Sequence, residues 1–79
     1  MKIIIRYTTH ARYMMAARDV NEAEVETAIE NPDRRIPEPE ERDKYRFEKT
    51  MNKIKIVVIA YWYKEKKEFR VKTVWKDYD

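Results

Sequence analysis

The segment from Thr8 to Pro32 constrains the fold most strongly, because it contains the start and stop signals of two successive helices. In the second helix, Asn21 is followed three residues later by Glu24, which is the spacing of a capping box. The pair Asn31-Pro32 ends that helix, since a residue before proline disfavours helical geometry. For the first helix, Thr8 or Thr9 supplies a capping hydroxyl, and we expect the helix to end near Arg18.

Strand patterns lie on both sides of this helical segment. The β-branched stretch Lys2–Tyr7 predicts an N-terminal strand. Three further strands are predicted after the helices, at residues 44–50, 53–63 and 68–76. The second of these is apolar on both faces beyond Lys55, which is typical of a central strand. Tight turns are expected at Met51-Asn52 and at Lys64–Lys67, and we expect Thr73 and Trp75 to point into the core.

This order of elements predicts one α+β domain over residues 1–79, with two helices on one face of a four-stranded, mostly antiparallel sheet. The polar segment Pro32–Asp43 contains three prolines and is predicted to be an exposed loop. The other face of the sheet would then be open to solvent.

Composition excludes several kinds of site. The chain has no cysteine, glycine or serine and only one histidine, His10. These absences exclude disulfides, thiolate or serine nucleophiles and a glycine-rich phosphate loop, and we expect no metal and no cofactor. No apolar run approaches the length of a membrane helix, so a cytoplasmic protein is expected. Charged residues make up 42% of the chain, which is typical of a thermophilic source or, equally, of an AT-rich genome.

The formal net charge is +3, and its distribution suggests a surface for anions. Strand alternation brings cations to the open face of the sheet, among them Arg46 and Lys76. The predicted nucleic-acid-binding residues are Lys53, Lys55, Tyr61, Tyr63, Arg70 and Lys72, with the tyrosines stacking on bases. The alternative is a solvated sheet face on which Glu48 and Glu68 neutralise the cations.

The helical segment also resembles a known family. His10-Ala11, Met15, Arg18, Val20 and the exit Asn31-Pro32-Asp33 look like domain-of-unknown-function family 4258 (DUF4258). This family is similar in fold to the RelE, ParE and BrnT toxins, which share a β-α-α-β-β-β core. The resemblance implies metal-independent RNA cleavage as one activity, although the ParE branch of this fold is not a ribonuclease.

The same resemblance implies candidate catalytic residues. His10 and Arg18 match the family's histidine and second arginine, and with Arg46 they form the predicted catalytic set. His10 would act as base or acid, and the arginines would hold the phosphate. The chain departs from the family at Met14, where an arginine is expected, and at Asp19, where a glycine is usual.

Two functions therefore remain open. The first is a toxin-like, metal-independent endoribonuclease that acts on RNA. The second is a non-catalytic module on the same fold that binds nucleic acid or another protein. The expected partners are RNA, a cognate antitoxin or a second copy of the chain, the last through a strand edge or the Tyr61/Tyr63 surface.

Overall fold

The computed structural model describes residues 3–78, which form two α-helices and a five-stranded sheet. The elements in chain order are β1 (Ile4–Tyr7), α1 (Thr9–Arg18), α2 (Glu22–Glu30), β2 (Arg34–Pro37), β3 (Lys44–Met51), β4 (Ile54–Tyr63), a 3₁₀ turn (Lys64–Lys66) and β5 (Glu68–Tyr78). The strands lie in the order β1-β5-β4-β3-β2, and only the β1–β5 pair is parallel. Lys2, which the sequence assigned to the first strand, lies outside the described residues.

Both helices begin as their capping signals predict. The Thr8 hydroxyl accepts a hydrogen bond from the Ala11 N–H at 3.0 Å and donates one to the carbonyl of Lys72 at 3.2 Å. Asn21 and Glu24 form the reciprocal capping box, with hydrogen bonds of 2.8 and 2.9 Å. The predicted helices are thus confirmed, and Thr8 also attaches the start of α1 to β5. Neither α-helix has the length and apolar character that crossing a bilayer requires.

The prediction of four strands missed β2, which lies within the segment expected to be a loop. Asp33 attaches this segment to β3: its N–H donates to the carbonyl of Glu48, and its carboxylate accepts from the N–H of Thr50, both at 2.8 Å. The hydrogen bond from Thr50 also lowers the pKa of Asp33. Pro37 is tolerated because β2 is an edge strand, which needs hydrogen bonds on one side only.

The predicted orientation of the side chains in the second half of β5 was wrong, because the pairing of β5 with β4 contains a register shift. The shift lies opposite Ile59 and Ala60, so Thr73 pairs with Ile59 and Trp75 pairs with Val57. Paired residues share a face of the sheet, and this face is the one opposite the helices. Thr73 and Trp75 therefore do not point into the helix-covered core. By the same register Lys76 pairs with Ile56. Lys76 therefore lies on the helix side of the sheet, and its prediction for the face without helices was wrong.

The core lies between the helices and one face of the sheet. Strand residues Phe47, Ile56, Val58, Val71 and Val74 pack there against helix residues Ala11, Met15, Val25, Ala28 and Ile29. Alternation along β4 places Val57 and Ile59 on the opposite face, as the sequence predicted. These two residues are therefore not part of the core beneath the helices.

The chain makes its tightest turns without glycine. The β3–β4 hairpin turns at Asn52-Lys53, one residue later than predicted, and both residues have positive φ, of 53° and 67°. This is the type I′ geometry of two-residue hairpins, in which glycine is usually the second residue. Asp19 has φ 57° and ψ 49° at the end of α1, where the Val20 N–H donates to the carbonyl of Met15 at 2.8 Å. This is a Schellman ending, which usually has glycine in the position of Asp19.

We predict that Asp19→Gly stabilises the protein by about 0.5–1 kcal/mol, because glycine adopts the left-handed region without a Cβ clash. The measurement is the free energy of unfolding by urea. Ala16→Gly, an exposed change inside the same helix, is the matched control and should destabilise by about the same amount. A destabilised Asp19→Gly variant would show that the aspartate side chain itself supports the helix end.

Candidate nucleic-acid interface

The face of the sheet opposite the helices is called the open face here. It receives alternate side chains from all five strands, and most of them are charged or aromatic. Its charged and aromatic residues are Arg6, Arg34, Lys44, Arg46, Glu48, Lys55, Tyr61, Tyr63, Glu68, Arg70, Lys72, Trp75 and Asp77, and Ile4, Ile36, Thr50, Val57, Ile59 and Thr73 share the face with them. Of the predicted binding residues, only Lys53 lies off this face, in the β3–β4 turn.

One group of cations surrounds Glu48, which is 5% exposed although no helix covers it. Its carboxylate accepts a 2.8 Å hydrogen bond from Arg46 Nε and forms ion pairs with Lys55 at 3.7 Å and Arg34 at 3.9 Å. Arg34 remains largely exposed beyond this contact. Glu48 therefore holds three cations from three strands in one cluster.

A second group surrounds Glu68 at the start of β5, a residue that is 3% exposed. Arg70 donates to one carboxylate oxygen from Nε at 3.1 Å and from a terminal nitrogen at 2.9 Å. Arg6 on β1 pairs with the other oxygen at 3.3 Å. The side chains of Arg6 and Arg70 still present 66% and 38% of their surface to solvent.

The two groups together contain five cations and two carboxylates, hence a net charge of +3. The sequence left open whether the acidic residues would neutralise this face, and they do so only in part. The buried carboxylates instead fix the positions of arginines whose outer surfaces face solvent. Such fixed guanidinium groups suit phosphate, which they can bind through paired N–H donors.

Aromatic rings lie beside these cations. The guanidinium of Arg70 lies 4.5 Å from the ring centre of Tyr63, and that of Arg46 lies 5.4 Å from Trp75. Arg46 pairs with Ile59 and Trp75 with Val57, so this stacked pair lies over the apolar part of the open face. Here cation–π contact and apolar burial act together, which explains why both β4 residues are buried without a helix above them.

A third cluster lies at one end of the open face. The Glu41 carboxylate, in the loop between β2 and β3, forms an ion pair with Lys44 and accepts from the Tyr61 hydroxyl at 3.3 Å. The hydrogen bond with Lys44 lowers the pKa of Glu41 and raises that of Lys44. Lys72 lies 5.8 Å from the Tyr61 ring. Sequence reasoning missed Lys44, although alternation with Arg46 and Glu48 along β3 would have placed it here.

The structure does not bring the predicted catalytic set together. His10 is exposed in the first turn of α1 and Arg18 is the last residue of that helix, about 12 Å away at the rise of an α-helix. Arg46 lies on the opposite face of the sheet from α1. Between His10 and Arg18, Met14 packs against the core. Within residues 3–78 no acidic, histidine or cysteine side chains are grouped to hold a metal ion.

Tyr7, on β1, is a partly buried phenol whose pKa departs from its ordinary value. Burial raises the pKa of Tyr7 to about 12, and the nearby carboxylates of Glu22 and Glu26 add to the increase. Its hydroxyl has no hydrogen-bond partner within residues 3–78, and Arg12 lies 4.3 Å from its ring centre. A phenol that stays protonated in this way is suited to packing between β1 and the helices rather than to proton transfer.

Fold and surface together define a small α+β domain with helices on one side of its sheet and a basic, aromatic face on the other. A family model, "Domain of unknown function (DUF4258)", matches residues 7–76. The chain therefore belongs to the DUF4258 family, as its helical segment predicted. No curated protein and no solved structure matches the chain.

We predict that Glu48→Gln lowers the free energy of unfolding by about 1–3 kcal/mol, because it leaves three neighbouring, partly exposed cations without their shared carboxylate. Chemical denaturation gives the measurement. Glu40→Gln in the β2–β3 loop removes the same charge from an exposed residue and should change stability by less than about 0.5 kcal/mol. Equal stabilities of the two variants would contradict a structural role for the Glu48 cluster.

Proposed function

We propose that the protein is a nucleic-acid-binding module and that its open face contacts the phosphate backbone. The observation that carries this proposal is the set of arginines on that face, each held by a buried carboxylate and each partly exposed. Holding these side chains in the free protein reduces the conformational entropy that they lose when they bind.

Aromatic rings support the same proposal. Tyr61, Tyr63 and Trp75 lie among the cations of the open face, and Tyr63 is 38% exposed. Rings beside guanidinium groups are the usual elements of surfaces that bind single-stranded nucleic acid, where bases stack and phosphates pair with cations. RNA is the nucleic acid we propose, on the fold-level analogy, drawn from the sequence, between this family and the RelE- and BrnT-type toxins.

The endoribonuclease is the weaker proposal. It needs His10 and Arg46 at one phosphate, whereas the two residues lie on α1 and on the opposite face of the sheet. Binding of RNA to the open face does not require His10. A cognate antitoxin and a homodimer stay predictions from the resemblance and the strand edges.

Two neighbouring residues on β2 provide a direct test. Arg34 pairs with Glu48 on the open face, whereas Arg35 pairs with Phe47 on the helix side and stacks on Tyr45 at 5.0 Å.

We predict that Arg34→Gln and Arg70→Gln each weaken binding of a twelve-residue oligouridylate about fivefold, or about 1 kcal/mol. Each should also reduce the slope of log K against log salt by about 0.7, through loss of one phosphate contact. Fluorescence anisotropy in EDTA gives both quantities.

Arg35→Gln is the matched control, with the same charge change one residue away, and its affinity should stay close to that of the wild type. Equal losses in all three variants would show that net charge alone drives binding and would contradict the assigned face. The oligonucleotide should be recovered intact after the titration. Cleavage by the wild type that His10→Ala lacks would instead establish the ribonuclease.

A further inference from the structure

The cluster of Glu41, Lys44, Tyr61 and Lys72 differs from the other two on the open face. Glu48 and Glu68 are buried strand residues, whereas Glu41 is an exposed loop residue. It reaches the face only through its carboxylate, which binds the Lys44 ammonium and the Tyr61 hydroxyl. The first two carboxylates are part of the sheet, and the third is brought to it by a loop.

The groups that hold Glu41 are the ones a phosphate would need. The Tyr61 hydroxyl lies 3.3 Å from both carboxylate oxygens and donates its one proton to this carboxylate, and Lys44 supplies an ammonium beside them. Lys72 approaches the same ring from β5, at 5.8 Å from the ring centre. Two ammonium groups and one hydroxyl donor fit a phosphate monoanion at least as well as a carboxylate.

We propose that the Glu41 carboxylate occupies, in the free protein, a site for a nucleic-acid phosphate formed by Lys44, Tyr61 and Lys72, and that the phosphate replaces it on binding. This inference rests on the proposed function and adds a site to it. Under this proposal Glu41 competes with the ligand for the same cations. The loop that carries Glu41 therefore lowers the affinity of the open face for any polyanion.

The loop is suited to such an exchange. The Glu41 side chain is 47% exposed, so its carboxylate returns to water when a phosphate takes its place beside Lys44, whose own side chain is 16% exposed. In contrast, displacing Glu48 would leave a buried carboxylate without its cations.

Glu40 and Glu41 provide a matched pair of variants, since both are exposed neighbours and only Glu41 contacts the cluster. We expect Glu41→Gln to tighten binding of the twelve-residue oligouridylate at least about threefold more than Glu40→Gln does. We also expect the slope of log K against log salt to stay close to that of the wild type, because the same number of phosphates is neutralised once a phosphate has replaced Glu41.

A double-mutant cycle separates this site from general electrostatics. With Lys44→Gln already in place, the advantage of Glu41→Gln over Glu40→Gln should disappear, because the ammonium that both anions share has been removed. An advantage that persists without Lys44 would overturn the proposed site. Circular dichroism of each variant checks that the loop changes leave the fold intact.

The outcomes also separate this inference from the proposed function. If the wild type binds, Arg34→Gln and Arg70→Gln weaken binding, and Glu41→Gln behaves like Glu40→Gln, then the phosphate site alone is overturned. If neither the wild type nor Glu41→Gln binds the oligonucleotide at low salt, both the function and the site are overturned.

Discussion

Two buried carboxylates on the uncovered side of the sheet determine how this surface is built. Glu48 and Glu68 are almost fully buried without a helix above them, and each pairs with one arginine of its own strand and one of a neighbouring strand. Removing either carboxylate would leave closely spaced like charges, which repel one another. The sheet can therefore carry a dense row of cations on one face while the other face forms the apolar core.

This arrangement links stability to binding. The ion pairs that join β1 to β5 and β2 to β3 also fix guanidinium groups that would meet a phosphate. Burial distinguishes these structural carboxylates from Glu41, which is exposed and carried by a loop. The protein thus has acidic residues of two kinds on one surface, one that organises the cations and one that competes for them.

The sequence predicted the helices and the faces of β4 because those signals are local: a capping box, an Asn-Pro exit and a period of two. It missed β2, whose pairing depends on Asp33 binding the backbone of Thr50 seventeen residues away. It also misplaced Trp75, because a register shift in a strand leaves no trace in alternation. At the candidate site, the alternation of side chains along each strand predicted which face the cations share. The burial of Glu48 could not be predicted in this way, because it depends on residues of other strands. Nor could the sequence show that Asp19 adopts the left-handed φ that glycine usually supplies at a helix end.

Mapping the bound surface tests the central claim most directly. ¹⁵N-labelled protein is titrated with the twelve-residue oligouridylate, and amide chemical shifts are followed residue by residue. The account predicts the largest changes in the strands that carry the open face, near Arg46, Tyr61 and Arg70, with little change in α1. Changes centred on His10 and Arg18 would contradict it and would place the functional surface on the helix side of the sheet.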